Sequence, residues 1–317
     1  MPEISGQPRI AVCLAVYNGM LWLTEQLDSI LAQTGVSVKV FVSVDQSSDG
    51  SEAWIDQRAA ADKRVSVLPH GHRFGNAAPN FFRILGDIDL PAFDYLSFAD
   101  QDDLWLPDKL LQAHQRLAST GADAYSSNVR AFWSDGRESL ITKSQPQTRW
   151  DFLFEAAGPG CTYVIKSELA QAIQKLLRTR PDDIQQVGLH DWLTYAFARA
   201  HGFRWVIDDY AGMLYRQHDA NQVGVNLGWR ASLHRARKVL SGWGLNQSLL
   251  IARLTGLENT PFVLRWSRQN PFGLLWLAFH AGQCRRRNRD QVLFALSCVA
   301  LSLTRWARRK PLQRGRD

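Results

Sequence analysis

Three carboxylates within four positions follow an apolar, aromatic run at Tyr95–Ala99, which has the character of a buried strand. They are Asp100, Asp102 and Asp103. Carboxylates at this density repel one another, so a cation is expected among them. Two acids one residue apart at a strand end can share one divalent ion, and hard oxygen ligands suit Mg²⁺ or Mn²⁺ bridged to a diphosphate. The alternative is an acidic loop that caps the helix after Pro107.

Two further polar loops close the first two predicted strands, Ile10–Val16 and Val36–Val44. Loops on neighbouring strand ends of a parallel sheet form a crevice that can bind a nucleotide. Asp45 could accept a hydrogen bond from a pyrimidine N3–H, while Asn18 and the backbone near Tyr17 could hold base and ribose. Ordinary turn chemistry between strand and helix is the alternative. The sequence has neither GxGxxG nor GxxxxGK[ST], which excludes the Rossmann dinucleotide and P-loop classes.

Two late motifs carry further chemistry. Asp191 opens a predicted helix and could accept the proton of an attacking hydroxyl as a general base, or could simply cap that helix. The motif Tyr215–His218 ends a late strand. A neutral His218 could be a metal ligand and Arg216 could offset diphosphate charge, whereas a solvated pair at a surface strand end is the alternative.

The elements that must position these residues alternate between strands and helices, which indicates a parallel α/β sheet. The predicted strands are Ile10–Val16, Val36–Val44, Val65–Leu68, Tyr95–Ala99, Phe203–Ile207 and Gly212–Tyr215. The predicted helices are Leu21–Ala32, Glu52–Ala61, Ala78–Leu85, Ser167–Leu177 and His190–His201. The pattern loosens after residue 130, and Gly158-Pro159-Gly160 forms a tight turn.

The composition divides the chain into an acidic body and a basic tail. Residues 229–317 contain 17 basic and three acidic residues, a net charge of +14, whereas residues 1–228 contain 20 basic and 27 acidic residues, a net charge of −7. Four cysteines without CxxC spacing indicate reduced thiols rather than a disulfide framework or a zinc site. A polar N-terminus and the lack of a long apolar stretch predict a cytosolic chain.

In this order the motifs resemble the inverting glycosyltransferases of family 2, which have the GT-A fold. The resemblance covers about residues 8–225 and is carried by Ala15–Gly19, Asp45 with Ser47–Gly50, Arg73–Asn76 ahead of Asn80 and Phe81, Asp100–Trp105, Gly158–Gly160, His190–Trp192 and Tyr215–His218. The acidic motif together with the late Tyr-Arg-Gln-His resembles the bacterial rhamnosyltransferase-like branch, which builds cell-surface polysaccharide or lipopolysaccharide core. Val16 stands where that branch often has Thr.

The resemblance implies an α/β GT-A fold with a central, mostly parallel sheet flanked by helices. The change in composition near residue 226 predicts that this domain spans residues 1–226 and that a helical, basic region follows at residues 227–317. The resemblance also implies a role for each motif. Asp191 is the expected catalytic base, Asp100, Asp102 and His218 are the expected ligands of Mg²⁺ or Mn²⁺, and Arg216 is expected at the donor diphosphate. The expected nucleotide-binding residues are Val16, Tyr17, Asn18, Asp45, Asn76, Asp100 and Gln101.

The implied function is the inverting transfer of a sugar, such as rhamnose from dTDP-rhamnose, onto a lipid-linked, lipopolysaccharide or polysaccharide acceptor. The inverting mechanism follows from the resemblance, since composition does not exclude a retaining one. One alternative is a donor of the UDP-hexose type on the same fold. Another is a non-catalytic protein that binds sugar nucleotides or glycans, although the intact Asp102 and Asp191 argue against it.

The tail combines short apolar helices with Trp residues and flanking arginines, which is typical of an interfacial membrane element. We expect it to hold the enzyme on the anionic cytoplasmic face of the inner membrane, with Arg285, Arg286, Arg287 and Arg289 outside any core. A helical subdomain that packs on the body or on a second subunit is the alternative. Nucleic-acid binding is not expected, because no recognition motif accompanies the charge.

Overall fold

The computed structural model describes residues 6–218 and 241–309, which form two compact units. The first unit holds residues 6–144 and 156–218, and the second holds residues 145–155 and 241–309. The second unit therefore combines the C-terminal helices with a short segment from the middle of the chain. The boundary predicted at residue 226 lies outside the described residues, so a division at that position stays a prediction.

Two sheets form the framework of the first unit. Within the described residues its strands are β1 Arg9–Val16, β2 Ser37–Val44, β3 Val65–Val67, β4 Tyr95–Ala99, β5 Leu104–Trp105, β6 Ala124–Ser127, β7 Val129–Trp133, β8 Glu138–Ile141, β9 Val164–Lys166, β10 Trp205–Asp208 and β11 Met213–Gln217. The large sheet has the order β10-β6-β9-β4-β1-β2-β3, and the small sheet has the order β5-β11-β7-β8. In the large sheet only the two pairings of β9 are antiparallel, which confirms the predicted central, mostly parallel sheet.

The helices of the first unit include the five that were predicted with bounds, each within a few residues of its predicted position; α4 was expected only as a helix after Pro107, and α6 was not predicted. They are α1 Leu23–Leu31, α2 Ser51–Ala61, α3 Ala77–Asp87, α4 Lys109–Thr120, α5 Ser167–Thr179, α6 Pro181–Ile184 and α7 His190–Ala200. The second unit contains α8 Trp243–Leu254, α9 Pro261–Trp266, α10 Pro271–Phe279, α11 Ala281–Cys284 and α12 Asn288–Arg309. The basic stretch at residues 229–240 lies outside the described residues.

The strand β1 has an unbroken apolar sequence because it lies near the centre of the large sheet. Every residue of β1 from Ile10 to Val16 is buried, and a strand buried on both faces needs apolar side chains on both. β1 pairs in parallel with β2 on one side and with β4 on the other. The C-terminal ends of these three strands therefore meet at one edge of the sheet, where open α/β sheets bind their ligands.

The antiparallel strand β9 brings another part of the chain to this edge. β9 pairs Val164 with Ser97 and Lys166 with Tyr95, so its first residue lies beside the C-terminal half of β4. The Gly158-Pro159-Gly160 turn precedes β9 and is thereby carried to the edge where β4 ends. A parallel strand would have placed that turn at the opposite edge of the sheet.

The small sheet carries the last motif back to the acidic loop. β5 follows the acidic loop directly and pairs antiparallel with β11, with Trp105 opposite Met213 and Leu104 opposite Leu214. Continued past Leu104, this register brings the acidic loop alongside the end of β11. The strands β5, β7 and β8 were not predicted, because β5 has only two residues and the other two carry little apolar alternation.

The core of the second unit is aromatic and contains one buried cation. The Trp150 ring stacks on the Phe262 ring at a centroid distance of 4.5 Å. The side chain of Arg286 is only 2% exposed and pairs with Asp151 at 3.2 Å and with Glu155 at 3.8 Å. The prediction that Arg286 lies outside any core is therefore wrong. Its partners come from the acidic body of the sequence, far from the basic tail, so the local pattern did not reveal the pairing.

Candidate active site

The end of β1 is held to the acidic loop by one side chain, Gln101. The Tyr17 amide donates to Oε1 of Gln101 at 2.7 Å, and Nε2 of Gln101 donates to the Tyr17 carbonyl at 2.9 Å. A side chain at Gly19 would collide with the Gln101 amide group, so Gln101 could keep this position only if glycine stands there. Gln101 thus fixes the backbone of the β1 loop, while the Tyr17 ring remains exposed.

A second set of hydrogen bonds joins the loops after β1 and β2. Asn18 has a positive φ of 44°, and its Oδ1 accepts from the Ser48 amide at 2.8 Å. Its own amide donates to Oγ of Ser47 at 3.0 Å. The Asp49 carboxylate accepts from the amides of Met20 and Ser51, each within 3.0 Å. The two loops predicted to form the nucleotide crevice are therefore one connected polar structure.

The carboxylate of Asp45 is buried and already has two backbone partners. It accepts from the amides of Phe74 and Gly75, both at 2.8 Å, and so holds the loop that follows β3. Asn76 caps α3 through a 3.4 Å contact from the Ala78 amide. Each carboxylate oxygen retains a second lone pair, so a contact between Asp45 and a base is compatible with this geometry and stays a prediction.

Asn80 belongs to the family-like motif that begins at Arg73, but the sequence predicted no role for it. Its Nδ2 donates to the carbonyls of Val16 and Ser43, at 3.4 and 3.1 Å, and so ties the ends of β1 and β2 to α3. The side chain is buried. A short polar residue on the inner face of an otherwise apolar helix is the sequence signal for such a clamp.

The acidic loop places charge in a poorly solvated environment. Burial, with the nearby charges of Asp102 and Asp191, raises the pKa of Asp100 to about 7. Burial and the nearby charges of Asp102 and Asp100 raise the pKa of Asp103 well above its ordinary value. Ligand atoms of Asp100, Asp103 and Cys161 lie within 4.8 Å of one another. None of the three acids caps the following helix, since that helix begins after Asp108, so the capping alternative is wrong.

Asp102 and His218, which are two of the expected metal ligands, contact each other in the structure. A hydrogen bond of 2.7 Å joins Nε2 of His218 and Oδ2 of Asp102, and both side chains are largely buried. The imidazole stacks on Trp22 at a centroid distance of 4.1 Å, so the alternative of a solvated surface pair is wrong. Two ligands at about 2.1 Å from one octahedral ion lie about 3 Å apart, which this pair matches. The carboxylate oxygens beside this pair are ligands that suit Mg²⁺ or Mn²⁺, whereas the imidazole is a softer ligand that would only supplement them.

Arg216 is part of the scaffold around this pair. Its Nε donates to the Asp102 carbonyl at 2.9 Å and its Nη2 donates to Glu25 at 2.6 Å. Its backbone amide donates to the carboxylate of Asp103 at 3.2 Å. The guanidinium lies 4.7 Å from the centre of the Phe132 ring. Arg216 therefore positions Asp102 in this structure, and its contact with a diphosphate stays a prediction.

Asp191 lies at the start of α7 with a perturbed carboxyl group. Burial raises its pKa to about 6, against the opposing effects of the hydrogen bond from the Trp192 amide and the charge of Lys143. That hydrogen bond is 2.7 Å long. The N-cap residue of α7 is Leu189, so Asp191 is not the cap that the alternative proposed. A carboxylate with this pKa is mostly ionised at neutral pH and is well matched to proton abstraction.

The glycine turn before β9 sets the position of Asp191. A Cβ at Gly160 would clash with Nε2 of His190 and would lie 3.2 Å from Cβ of Asp191. His190 is buried, with its ring 4.0 Å from that of Phe81, and burial lowers its pKa to about 3. The His190 side chain is thus neutral and is packed between the core and the turn. The turn and the His-Asp-Trp motif were both identified from the sequence. Their contact with each other could not be predicted, because it depends on the antiparallel direction of β9.

The similarity of this chain to known proteins extends over most of its length. A family model described as "Glycosyl transferase family 2" matches residues 11–159. The chain is 38% identical over 287 residues to the dTDP-rhamnosyl transferase RfbG of Shigella flexneri, covering 90% of this chain and 99% of that protein. It is 26% identical over 223 residues to the succinoglycan biosynthesis protein ExoO of Rhizobium meliloti (strain 1021), covering 68% of this chain and 62% of that protein.

A solved structure has a similar fold. S. aureus TarS 1-349, in complex with UDP-GlcNAc, matches with a TM-score of 0.53 and 14% identity, covering 98% of this chain and 94% of that one. At this identity the likeness concerns the fold alone. The predicted α/β GT-A fold, with helices at the C-terminal end, is confirmed.

Proposed function

This chain belongs to glycosyltransferase family 2 and is a nucleotide-sugar glycosyltransferase, and from that premise we propose that it transfers rhamnose from dTDP-rhamnose with inversion at the anomeric carbon. The proposed acceptor is a glycan or glycolipid used in cell-surface polysaccharide or lipopolysaccharide synthesis. The donor is supported by the similarity to a relative whose name states dTDP-rhamnosyl transfer, over nearly the whole of that protein. The proposed place of action is the cytoplasmic face of the inner membrane.

One observation carries the proposed chemistry: the partly buried carboxylate of Asp191 lies close enough to the acidic loop for its charge to contribute to the raised pKa of Asp100. The nucleotide would bind along the joined loops after β1 and β2, with the diphosphate at Asp100 and Asp102. Asp191 would then face the acceptor side of the anomeric carbon. With the base on one side of the sugar and the diphosphate on the other, the arrangement would suit direct displacement, in which the acceptor hydroxyl and the leaving diphosphate occupy opposite faces of the sugar.

In the proposed step the acceptor oxygen forms a bond to the anomeric carbon while the bond from that carbon to the diphosphate oxygen breaks. The electron pair of the broken bond leaves with dTDP. Asp191 accepts the proton of the attacking hydroxyl, which requires its carboxylate form. Gly160 and His190 hold the carboxylate in place because neither the turn nor the buried ring can move without disturbing the core.

The proposed Mg²⁺ or Mn²⁺ would be held by Asp100, Asp102 and His218. When bound, such an ion stabilises the negative charge that develops on the leaving diphosphate. Asp103 would help to hold this arrangement, because its carboxylate accepts a hydrogen bond from the Arg216 backbone amide. Arg216 in turn holds the Asp102 backbone through its Nε.

A donor panel tests this proposal. The protein is incubated with Mg²⁺ and each of dTDP-rhamnose, UDP-glucose, UDP-galactose and UDP-N-acetylglucosamine, and the release of nucleoside diphosphate is measured. We expect turnover with dTDP-rhamnose that Asp191→Asn abolishes and Glu168→Gln, an exposed acid in the first turn of α5, leaves unchanged. Turnover of a UDP-sugar alone would assign the alternative donor. Saturable donor binding without turnover, in the presence of acceptor, would favour a non-catalytic binding protein.

A further inference from the structure

The long helix α12 has an exposed face without charge. Its exposed apolar side chains recur at helical spacing and therefore lie on one side: Val292, Leu293, Leu296, Leu303 and Trp306. Leu296 is 60% exposed and Trp306 is 64% exposed. The sequence contains no charged residue between Asp290 and Arg305. At 1.5 Å per residue the face from Val292 to Trp306 is about 21 Å long.

The neighbouring helix α10 exposes a second apolar row. Phe272, Leu275 and Phe279 follow i, i+3, i+7 spacing, and the two Phe side chains are 80% and 89% exposed. Oγ of Ser302 donates to the Pro271 carbonyl at 3.0 Å, which places the start of α10 beside the C-terminal half of α12. The two helices are therefore antiparallel neighbours. Single exposed apolar side chains are ordinary, but two ordered rows on adjacent helices mark an interaction surface.

The charge around these rows favours one kind of partner. Arg265 and Arg268, on or just after α9, are exposed. The described part of this unit has four acids, and three of them are already paired with arginines: Asp151 and Glu155 with Arg286, and Asp290 with Arg289. A second copy related by two-fold symmetry would set like charges around the same patch. An anionic lipid surface complements both the apolar rows and the cationic surroundings.

We propose that the exposed rows of α10 and α12, here called the two-helix face, insert into the lipid monolayer with both helices lying in the plane of the interface. No helix of the described residues has the combination of length and apolar character that a bilayer crossing needs. The uncharged stretch of α12, about 21 Å long, is also shorter than the hydrocarbon core of about 30 Å. Insertion along the surface is the geometry that buries these side chains without crossing.

This surface differs from the electrostatic anchor expected from the sequence. Arg286 is buried in an ion pair, and Nη1 of Arg285 donates to the Phe154 carbonyl at 2.6 Å. Two arginines of the expected cluster therefore serve the core of the unit rather than a membrane. Attachment through the two-helix face is mainly apolar, so it should survive high salt. It rests on the proposed function only in giving the enzyme access to a lipid-linked acceptor.

The test uses the full chain and measures co-sedimentation with vesicles of phosphatidylglycerol and phosphatidylethanolamine, and of phosphatidylcholine alone. We expect binding to both, stronger to the anionic vesicles, and largely retained in about 1 M NaCl, where the screening length falls to about 3 Å. The triple variant Phe272→Ser, Phe279→Ser, Leu296→Ser should weaken binding at least about tenfold. Leu140→Ser, an equally exposed apolar residue of the first unit, is the matched control and should change nothing.

Each outcome decides between the partners. The triple variant should keep the circular dichroism spectrum and the melting temperature of the wild type, because its side chains are exposed. Loss of vesicle binding with donor turnover retained supports the two-helix face. Absent binding by the wild type, or unchanged binding by the triple variant, overturns it. A dimer that the triple variant dissociates, without lipid binding, would assign the face to a second copy. Because donor turnover is read separately, failure of this proposal is distinct from failure of the proposed function.

Discussion

Replacement of Asp191 by Asn should abolish turnover and at the same time stabilise the fold. In the folded protein burial raises the pKa of Asp191 from 3.8 to about 6. One pKa unit corresponds to about 1.36 kcal/mol, so keeping this carboxylate ionised in its buried place is unfavourable by up to about 3 kcal/mol at neutral pH. Asn has nearly the same shape and carries no charge. We therefore expect Asp191→Asn to raise the free energy of unfolding by about 1–3 kcal/mol at pH 8.

The stabilisation expected for Asp191→Asn depends on pH. The pKa is raised on folding, so between pH 3.8 and about 6 the folded state holds the proton that the unfolded state has lost. In this window the wild type loses stability as pH rises, and above about pH 7 the loss from this group is complete. The advantage of Asp191→Asn should therefore be largest at pH 8 and should shrink as pH falls toward 4.

Urea denaturation at pH 5 and pH 8 in excess chelator measures this difference, with Glu168→Gln as the control for a charge in the first turn of a helix. Steady-state kinetics should show kcat lowered on the order of 10²-fold or more, with donor binding unchanged. In the wild type kcat/KM should fall as pH drops through about 6, because the base of the free enzyme becomes protonated. An unstabilised Asp191→Asn with normal turnover per folded molecule would refute the reasoning, since it would show an ordinary solvated carboxylate.

Three further outcomes test the metal site, the turn and the second unit. Asp102→Ala should abolish transfer while the protein stays folded, and Mg²⁺ should restore wild-type activity lost to a chelator; full activity in excess chelator would contradict the metal role. Gly160→Ala should destabilise the protein by about 1–3 kcal/mol and lower kcat, because its Cβ clashes with His190; a normal melting temperature would show that the turn adapts. Asp151→Ala should lower the free energy of unfolding by about 3–5 kcal/mol, because it leaves Arg286 buried without its main partner, and a loss below about 1 kcal/mol in urea denaturation would contradict a buried pair.

Much of the part of the fold around β1, β2 and β4 could be predicted because local pattern and tertiary environment agree there. β1 and β4 are buried on both faces, and such strands have nearly unbroken apolar sequences that end where the chain reaches the sheet edge. Parallel pairing then brings Tyr17, Asp45 and Asp100 to one place without further information. The carbonyl of Asp100 is held there by Nε2 of Gln26, a polar residue on the buried side of α1.

The region around the turn before β9 and the start of α7 could be predicted only as separate motifs. The contact between Gly160 and His190 depends on β9 running against its neighbours, and a three-residue strand gives no sequence signal of its direction. The pairing of Asp102 with His218 likewise depends on β5, which has two residues. Short strands are specified by partners that are distant in sequence, and such pairings are invisible to a local pattern.

The second unit shows the same limit in its charges. Arg286 was expected at a membrane because its neighbours in sequence are arginines, yet its partners in space are Asp151 and Glu155. Pairing with these acids removes one cation from the tail surface and leaves the exposed apolar rows as its main feature. A run of like charges in sequence therefore describes the unfolded chain better than the folded surface, where each charge acts according to the side chains it contacts. For this reason salt resistance, rather than net charge, is the property that distinguishes the two modes of membrane attachment.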